Sequence, residues 1–161
     1  MRILGIDPGS RFTGWGIVEH RRKQSSYVAS GTLRLDAQAE LAQRLVALSH
    51  GLQALLHTHR PDQAALERIF TARNARSALV LGHARGVILC DLARAGLPLF
   101  EYSATQVKQA VVGGGRAGKE QVQAMVGLLL RHKAPMQEDE ADALAVALTH
   151  AHALPFAEAG K

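Results

Sequence analysis

Four carboxylates stand at positions where the chain pattern predicts a shared site. Asp7 closes the first predicted strand (2–7), and Glu67 closes the fourth (63–67). Asp139 and Asp142 lie three residues apart at the start of the last predicted helix (138–152). Ligand sites in open α/β sheets gather at the carboxyl ends of strands. If the first and fourth strands are neighbours, Asp7 and Glu67 converge there, and the helix brings its two aspartates alongside.

Such a group of acids points to metal chemistry. Neighbouring carboxylates repel one another, and burial increases that cost. A bound divalent cation compensates for both effects, and ligand sets made only of oxygen suit Mg²⁺ or Mn²⁺ better than zinc. Two such ions about 3.5–4 Å apart clamp the attacking and leaving oxygens of a phosphodiester. The pattern is therefore typical of two-metal phosphodiester hydrolysis.

Ordinary structural roles stay open for the same residues. Asp7 with the following Pro-Gly is a common turn sequence, and Asp139 is a common helix cap. Other acids compete for membership of the site: Asp62, Asp91, Glu101, Glu138 and Glu140.

The hydrophobic periodicity predicts the element order βββαβαβααα. Strands are predicted over 2–7, 14–19, 26–35, 63–67 and 99–102. Helices are predicted over 37–58, 74–95, 119–131 and 138–152, and a short helix capped by Ser103 or Thr105 is predicted to run through Val112. This order indicates an α/β fold with a five-stranded mixed sheet, its first three strands antiparallel, flanked by helices. We expect one domain over 1–161, with an irregular tail after about residue 153.

Composition and charge narrow the classes of function. The 161 residues contain 19 Lys and Arg against 14 Asp and Glu, a formal net charge of +5. A basic balance favours nucleic acid as a partner, because neutralised phosphates release counterions. The start lacks a signal-peptide pattern, and no apolar run is long enough to cross a bilayer. The single cysteine, Cys90, excludes an internal disulfide and is expected to be buried. We therefore expect a cytoplasmic protein without a membrane partner.

A series of motifs follows in order across nearly the whole chain. They are Gly5-Ile6-Asp7-Pro8-Gly9-Ser10 with Thr13-Gly14-Trp15-Gly16, Leu66-Glu67-Arg68-Ile69-Phe70, Asn74-Ala75-Arg76-Ser77-Ala78, Gly82-His83-Ala84-Arg85-Gly86, Gln106-Val107-Lys108-Gln109, Lys119-Glu120-Gln121-Val122 and Asp139-Glu140-Ala141-Asp142-Ala143-Leu144-Ala145. This ordered set resembles the bacterial RuvC family of Holliday-junction resolvases. Asp-x-Gly alone is unspecific and also occurs in actin-like ATPases.

The resemblance implies an RNase H-like fold and a homodimer that resolves four-way DNA junctions in recombination and repair. It implies paired symmetric nicks in two like strands, since a two-fold dimer meets a junction of near two-fold symmetry. It also implies RuvA and RuvB as partner proteins. The metal ligands that it implies, for two Mg²⁺ ions that Mn²⁺ can replace, are Asp7, Glu67, Asp139 and Asp142. Some family members have His at the position of Asp139, and the repetitive glycines of 113–115 depart from the usual family loop.

Three further residues are expected to contact DNA. Lys108 and Lys119 match family lysines near the scissile phosphate, and Lys119 is expected to act as a transition-state cation. Phe70 matches an aromatic residue that contacts bases near the crossover, and an aromatic in a polar loop can stack on an unpaired base. The ordinary alternatives are a solvated lysine on a first helical turn and a phenylalanine in the core.

Weaker expectations concern the DNA backbone, the dimer and the histidines. The candidate backbone contacts, each of which is also an ordinary surface charge, are Arg73, Arg76, Arg116 and Lys133; Ser10 could bind phosphate or only stabilise its turn. The dimer surface is expected on the helix over 74–95, at residues that are equally compatible with a core: Ala78, Leu79, Leu81, Gly82 and Ala84. The pairs His57/His59 and His150/His152 lack a clear third metal ligand and are interpreted as surface histidines.

Two other functions stay open. An actin-like phosphotransferase or ATPase shares the Asp-x-Gly turn, but the chain is too short for its two lobes. A non-catalytic junction-binding protein is possible, although the presence of all four acids argues against it. The segment 113–119 fits G-x-x-x-x-G-K, but Glu120 stands where a phosphate-binding P-loop needs Ser or Thr.

Overall fold

The computed structural model describes residues 1–68 and 74–154. Its five strands are β1 (Arg2–Asp7), β2 (Phe12–Arg21), β3 (Gln24–Arg34), β4 (Gln63–Arg68) and β5 (Leu99–Ser103). Its five helices are α1 (Leu41–His59), α2 (Ala75–Arg94), α3 (Ala104–Val112), α4 (Lys119–Leu129) and α5 (Glu138–Ala153). The predicted element order is confirmed. None of the helices in these described ranges combines the length and the apolar character needed to cross a membrane.

β1 lies at the centre of a five-stranded sheet with the order β3-β2-β1-β4-β5. β1, β2 and β3 pair antiparallel, whereas β4 runs parallel to both β1 and β5. The β2–β3 connection turns through Arg22 and Lys23, both with positive φ, which matches the twist of a two-residue hairpin. The mixed sheet predicted from the sequence, with its first three strands antiparallel, is confirmed.

Alternate residues of the central strands face two different helix layers. Leu4 packs into the cluster that contains residues of α1 and α2. Ile3 and Ala65 pack into the cluster formed with α3, α4 and α5. Because side chains alternate along a strand, Asp7 lies on the same face as Ile3, and Glu67 lies on the same face as Ala65. Both acids therefore point to the α3–α5 side of the sheet.

Glycines on β1 and β2 allow α5 to lie against the sheet backbone. A Cβ atom at Gly5 would lie 2.0 Å from the carbonyl oxygen of Ala143, and one at Gly14 would lie 2.0 Å from that of Asp139. Gly16 leaves similar room for α5 two residues further along β2. No side chain fits between these positions and α5. Glycine at positions 5, 14 and 16 therefore determines how closely the helix can approach the sheet.

The structure corrects four of the expectations. His150 is buried at 2% exposure, with ring nitrogens hydrogen-bonded to Tyr102 and Gln63, so its interpretation as a surface histidine is wrong. The reason is that α5 lies along the sheet and is buried along most of its length. Cys90, expected in the core, is exposed on α2. Ala84, expected as a possible dimer contact, belongs to the core. Helix α1 begins at residue 41 rather than 37, after a turn over 36–39.

Replacing Gly14 by Ala is expected to displace α5, because the new methyl group would overlap the Asp139 carbonyl group. Overpacking of this kind typically costs about 1–3 kcal/mol of unfolding free energy. Denaturant unfolding measures the loss. Gly114→Ala is the control, because its methyl group would meet nothing within 4 Å. Equal stability of the two variants would show that the gap at Gly14 is not a constraint.

Candidate active site

Asp7 and Glu67 lie at the carboxyl edge of the two central parallel strands. The paired registers of β1 and β4 end at Ile6 opposite Leu66. The next residue on each strand is one of the two acids, and both line a cleft of about 290 Å³. The parallel register thus brings together two residues that are 60 positions apart in the sequence.

The first turns of α5 bring Asp139 and Asp142 to the same place. Asp142 lines the cleft, and the charges of both aspartates act on Asp7. The backbone of Asp139 lies against Gly14, which is the β2 partner of Asp7. A helix N-terminus also favours negative charge. The four predicted acids therefore share one electrostatic environment.

Burial and mutual repulsion raise the pKa values of three of these acids. Burial is the main cause that raises the pKa of Asp7 to about 8, and the charge of Glu67 adds to the shift. Burial likewise raises the pKa values of Glu67 and Asp142. Lys119 opposes these shifts by stabilising the ionised carboxylates. A cation that replaces the protons would lower the repulsion, and oxygen donors of this kind fit Mg²⁺ or Mn²⁺.

The four acids lie close together, but their carboxylates are not arranged around one ion position. Within residues 1–68 and 74–154, no three Asp, Glu, His or Cys side chains form a ready-made ion cage. Asp142 Oδ2 lies 3.8 Å from the ammonium group of Lys119. Binding of an ion by these carboxylates therefore requires their side chains to move.

Two lysines line the same cleft from neighbouring helices. Lys108 comes from α3, and Lys119 is the first residue of α4. Lys119 Nζ donates a hydrogen bond to the carboxylate of Glu138, which is the main cause of its raised pKa. The lysine therefore stays charged over the physiological pH range. Its partnership with Glu138 was not predicted, because it depends on the packing of α4 against α5 rather than on any linear pattern.

Arg85 supports Glu67 from the opposite side of the sheet edge. Its guanidinium Nη1 donates a 2.8 Å hydrogen bond to the backbone carbonyl of Glu67, and its Nη2 forms an ion pair with Glu101. The side chain is only 17% exposed. No role for Arg85 was predicted from the sequence. A signal was present, since Arg85 precedes the buried Ile88 and Leu92 of α2 by three and seven residues and so shares their helix face.

The other predicted DNA contacts lie outside the carboxylate cleft. Arg76 is exposed on the first turn of α2, and Arg116 is exposed in the glycine-rich loop before α4. Lys133 lies on a separate groove beside α4. Phe70 and Arg73 are outside the described residues.

Replacing Arg85 by Met is expected to release the end of β4. Hydrogen bonds involving a charged group contribute about 1.5–3 kcal/mol, so the unfolding free energy should fall by that amount. Weaker Mn²⁺ binding, measured by calorimetry, should accompany the loss because Glu67 is no longer positioned. Arg94→Met, at an exposed position with a 3.9 Å ion pair, is the control and should change stability by less than about 0.5 kcal/mol. Unaltered Mn²⁺ affinity in Arg85→Met would contradict the positioning role.

Comparison with known proteins identifies relatives that match nearly the whole chain. The model of the family described as crossover junction endodeoxyribonuclease RuvC matches residues 3–150. The chain is 53% identical to the protein of that name from Ralstonia nicotianae over 94% of this chain and 84% of the relative. It is 55% identical to the one from Halorhodospira halophila, over 94% of this chain and 90% of the relative.

Solved structures agree with the sequence relatives. Thermus thermophilus RuvC in complex with a Holliday junction substrate superposes with a TM-score of 0.90 and 35% identity, covering 95% of this chain and 94% of the other. The yeast mitochondrial Holliday junction resolvase Ydc2 has a TM-score of 0.68 at 14% identity, covering 93% of this chain and 77% of the other, and shares the fold. The sheet, its helices and the extent of the family match together establish that this chain belongs to the RuvC family of crossover junction endodeoxyribonucleases.

Proposed function

We propose that this protein resolves four-way DNA junctions as a divalent-metal-dependent endonuclease. The observation that carries the proposal is the cleft in which Asp7, Glu67 and Asp142 face Lys108 and Lys119, in a chain of the RuvC family. The acids can hold cations, and the lysines can receive the anionic DNA backbone. The reaction is the introduction of paired symmetric nicks in two like strands, in DNA recombination and repair.

The proposed metal ligands are Asp7, Glu67, Asp139 and Asp142, with two Mg²⁺ ions that Mn²⁺ can replace. When bound, such ions lower the pKa of an attacking water and stabilise the leaving 3′ oxygen. The raised pKa of Asp7 means that this carboxyl group releases its proton when a cation is loaded. Because the charges of Glu67, Asp139 and Asp142 all act on Asp7, this carboxylate would hold the ions together with the other three acids.

The lysines act on the phosphate rather than on the acids in the proposed reaction. In the proposed reaction, the ammonium group of Lys119 moves partly away from Glu138 and contacts the scissile phosphate. Its charge stabilises the transition state there. Lys108 approaches the same backbone from α3. The products carry a 5′-phosphate and a 3′-hydroxyl, which a ligase can join.

DNA contacts outside the cleft complete the proposal. Arg76, Arg116 and Arg73 are assigned to the DNA backbone, and Phe70 to an unpaired base near the crossover. Arg76 is exposed on the first turn of α2, and Arg116 is exposed in the loop before α4. Their contribution is electrostatic and independent of base sequence.

The proposed assembly is a homodimer through the exposed face of α2, in the cytoplasm, with RuvA and RuvB as partner proteins. Leu79 is 65% exposed, and Ala78 and Gly82 are exposed on the same helix. An added Cβ at Gly82 or Gly86 would meet nothing within 4 Å, so a second helix has room to approach. A two-fold dimer provides one active site for each of the two strands that are cut.

Replacing Asp7 by Asn is expected to abolish cleavage and to leave junction binding largely intact. A labelled synthetic junction with Mg²⁺, compared with linear duplex of the same sequence, measures both. Glu120→Gln, an exposed acid of α4, is the control. Ligatable paired nicks in the junction alone would support the proposal; retained cleavage by Asp7→Asn would overturn the assignment of the acids.

The same variant is expected to be more stable than the parent protein in EDTA near neutral pH. The folded pKa of Asp7 is about 8 against an ordinary value of 3.8, so between those pH values the folded protein binds more protons than the unfolded chain. Stability of the metal-free protein therefore falls as pH rises through that window, and Asp7→Asn removes a large part of that slope. Denaturant unfolding from pH 5 to 8.5 measures it. An unchanged slope would contradict the raised pKa.

Replacing Leu79 by Glu is expected to convert the dimer to monomers, because a charge would be buried in the interface. Sedimentation velocity measures the change. Leu128→Glu on α4 is the matched control, since Leu128 is 71% exposed but lies on another helix. Dissociation by Leu128→Glu, or a dimer that persists in Leu79→Glu, would place the interface elsewhere.

A further inference from the structure

A second cleft, lined by basic residues, lies on the opposite face of the sheet, near the edge that carries the acids. It measures about 510 Å³ and lies between the β1–β2 loop, the start of α1 and the first turn of α2. Its polar lining consists of Ser10, Arg11, Arg44, Arg76 and Ser77. Helices α1 and α2 pack on the face opposite to α3–α5, so this cleft and the carboxylate cleft are distinct surfaces.

The three arginines of this cleft carry charge that the described fold does not neutralise. In residues 1–68 and 74–154, Arg11, Arg44 and Arg76 form no ion pair, whereas Arg2 and Arg21 both pair with Glu19. The Nε atom of Arg44 is shielded from solvent and has no hydrogen-bond partner. A buried donor without an acceptor is costly. The cleft therefore lacks an anion or acceptor that would balance it.

The acids nearest in sequence do not supply that balance. Asp36 accepts a hydrogen bond from the backbone N–H of Gln38 within its own turn. Glu40 is the N-cap residue of α1, but its side chain makes no cap hydrogen bond. Neither acid lines the cleft, so no carboxylate of residues 1–68 and 74–154 faces the three arginines there.

The lining residues suit phosphate oxygens. Guanidinium groups present planar pairs of donors that match phosphate, and serine hydroxyls add single donors. The first turn of α2 contributes the partial positive charge of a helix N-terminus. Three cations from three separate elements suit a polyanion that runs along the cleft better than one isolated ion.

The two clefts are close enough to contact one DNA molecule. Asp7 and Arg11 are four residues apart, so their Cα atoms are at most about 14 Å apart. That distance corresponds to about four base-pair steps of duplex DNA, at roughly 3.4 Å per step. A duplex arm that places a phosphate at the acids can therefore reach the arginines around the edge of the sheet.

We propose that the cleft of Arg11, Arg44 and Arg76 binds backbone phosphates of a duplex arm of the junction, away from the scissile phosphate. This inference rests on the proposed function. The cleft adds affinity that does not depend on base sequence, and it orients the arm relative to the carboxylate site.

The test measures junction binding in an Asp7→Asn background in EDTA, by fluorescence anisotropy from 50 to 300 mM KCl. Arg44→Gln and Arg76→Gln are each expected to weaken binding several-fold at 100 mM salt. Each should also reduce the slope of log affinity against log salt by about 0.9 for each lost phosphate contact. Arg94→Gln, which removes the same charge from the far end of α2, should leave affinity and slope unaltered.

Each possible result has one interpretation. If the parent protein shows no preference for the junction over duplex, the proposed function fails. If the parent binds the junction but both arginine variants bind with equal affinity and slope, only the cleft proposal fails. A nucleoside triphosphate that binds the parent but not Arg44→Gln, with junction binding unaffected, would also overturn it. Should Arg44→Gln melt at a lower temperature, Arg11→Gln, at an exposed position of the same cleft, decides the matter.

Discussion

The close approach of α5 to the sheet is the contact on which the rest of the structure depends. Gly5 and Gly14 leave the backbone of β1 and β2 bare where the carbonyl groups of Ala143 and Asp139 rest. Helix α5 contributes mainly alanines at this contact and is buried over most of its length. Because both surfaces are made of small residues, the first turns of the helix reach the end of β1. The same packing that forms the core therefore delivers two of the four acids.

This packing produces an electrostatic conflict that the metal-free fold resolves only in part. The acids are half-buried and lie close to one another, so the pKa values of Asp7, Glu67 and Asp142 rise. Lys119 relieves part of the repulsion and is itself held by Glu138. The energy needed to keep such a cluster comes from the two hydrophobic clusters on either side of the sheet. A site that is strained by its own charges is well suited to cations that neutralise them.

The edge of the sheet separates two surfaces of opposite chemical character. The carboxylates and lysines lie on the α3–α5 side, and the arginine cleft lies on the α1–α2 side. Arg85 connects the sides, because it extends from α2 to the carbonyl group of Glu67. In the proposed complex the DNA follows this edge, and the exposed face of α2 sets the distance to the second active site. Arg11, Arg44 and Arg76 thus place three positive charges along the proposed path of the DNA.

The sequence by itself determined the elements, the topology class and the candidate acids. Hydrophobic periodicity gave all ten elements in order, and strand ends located Asp7 and Glu67. It could not show that Glu138 binds Lys119, that Arg85 holds Glu67, or that His150 is buried, since each depends on which helix faces which strand. The arginine cleft likewise joins three segments that are distant in the chain. Local patterns report the burial preference of each residue, whereas side-chain partners, shared electric fields and clefts arise only when the packed sheet and helices bring distant residues together.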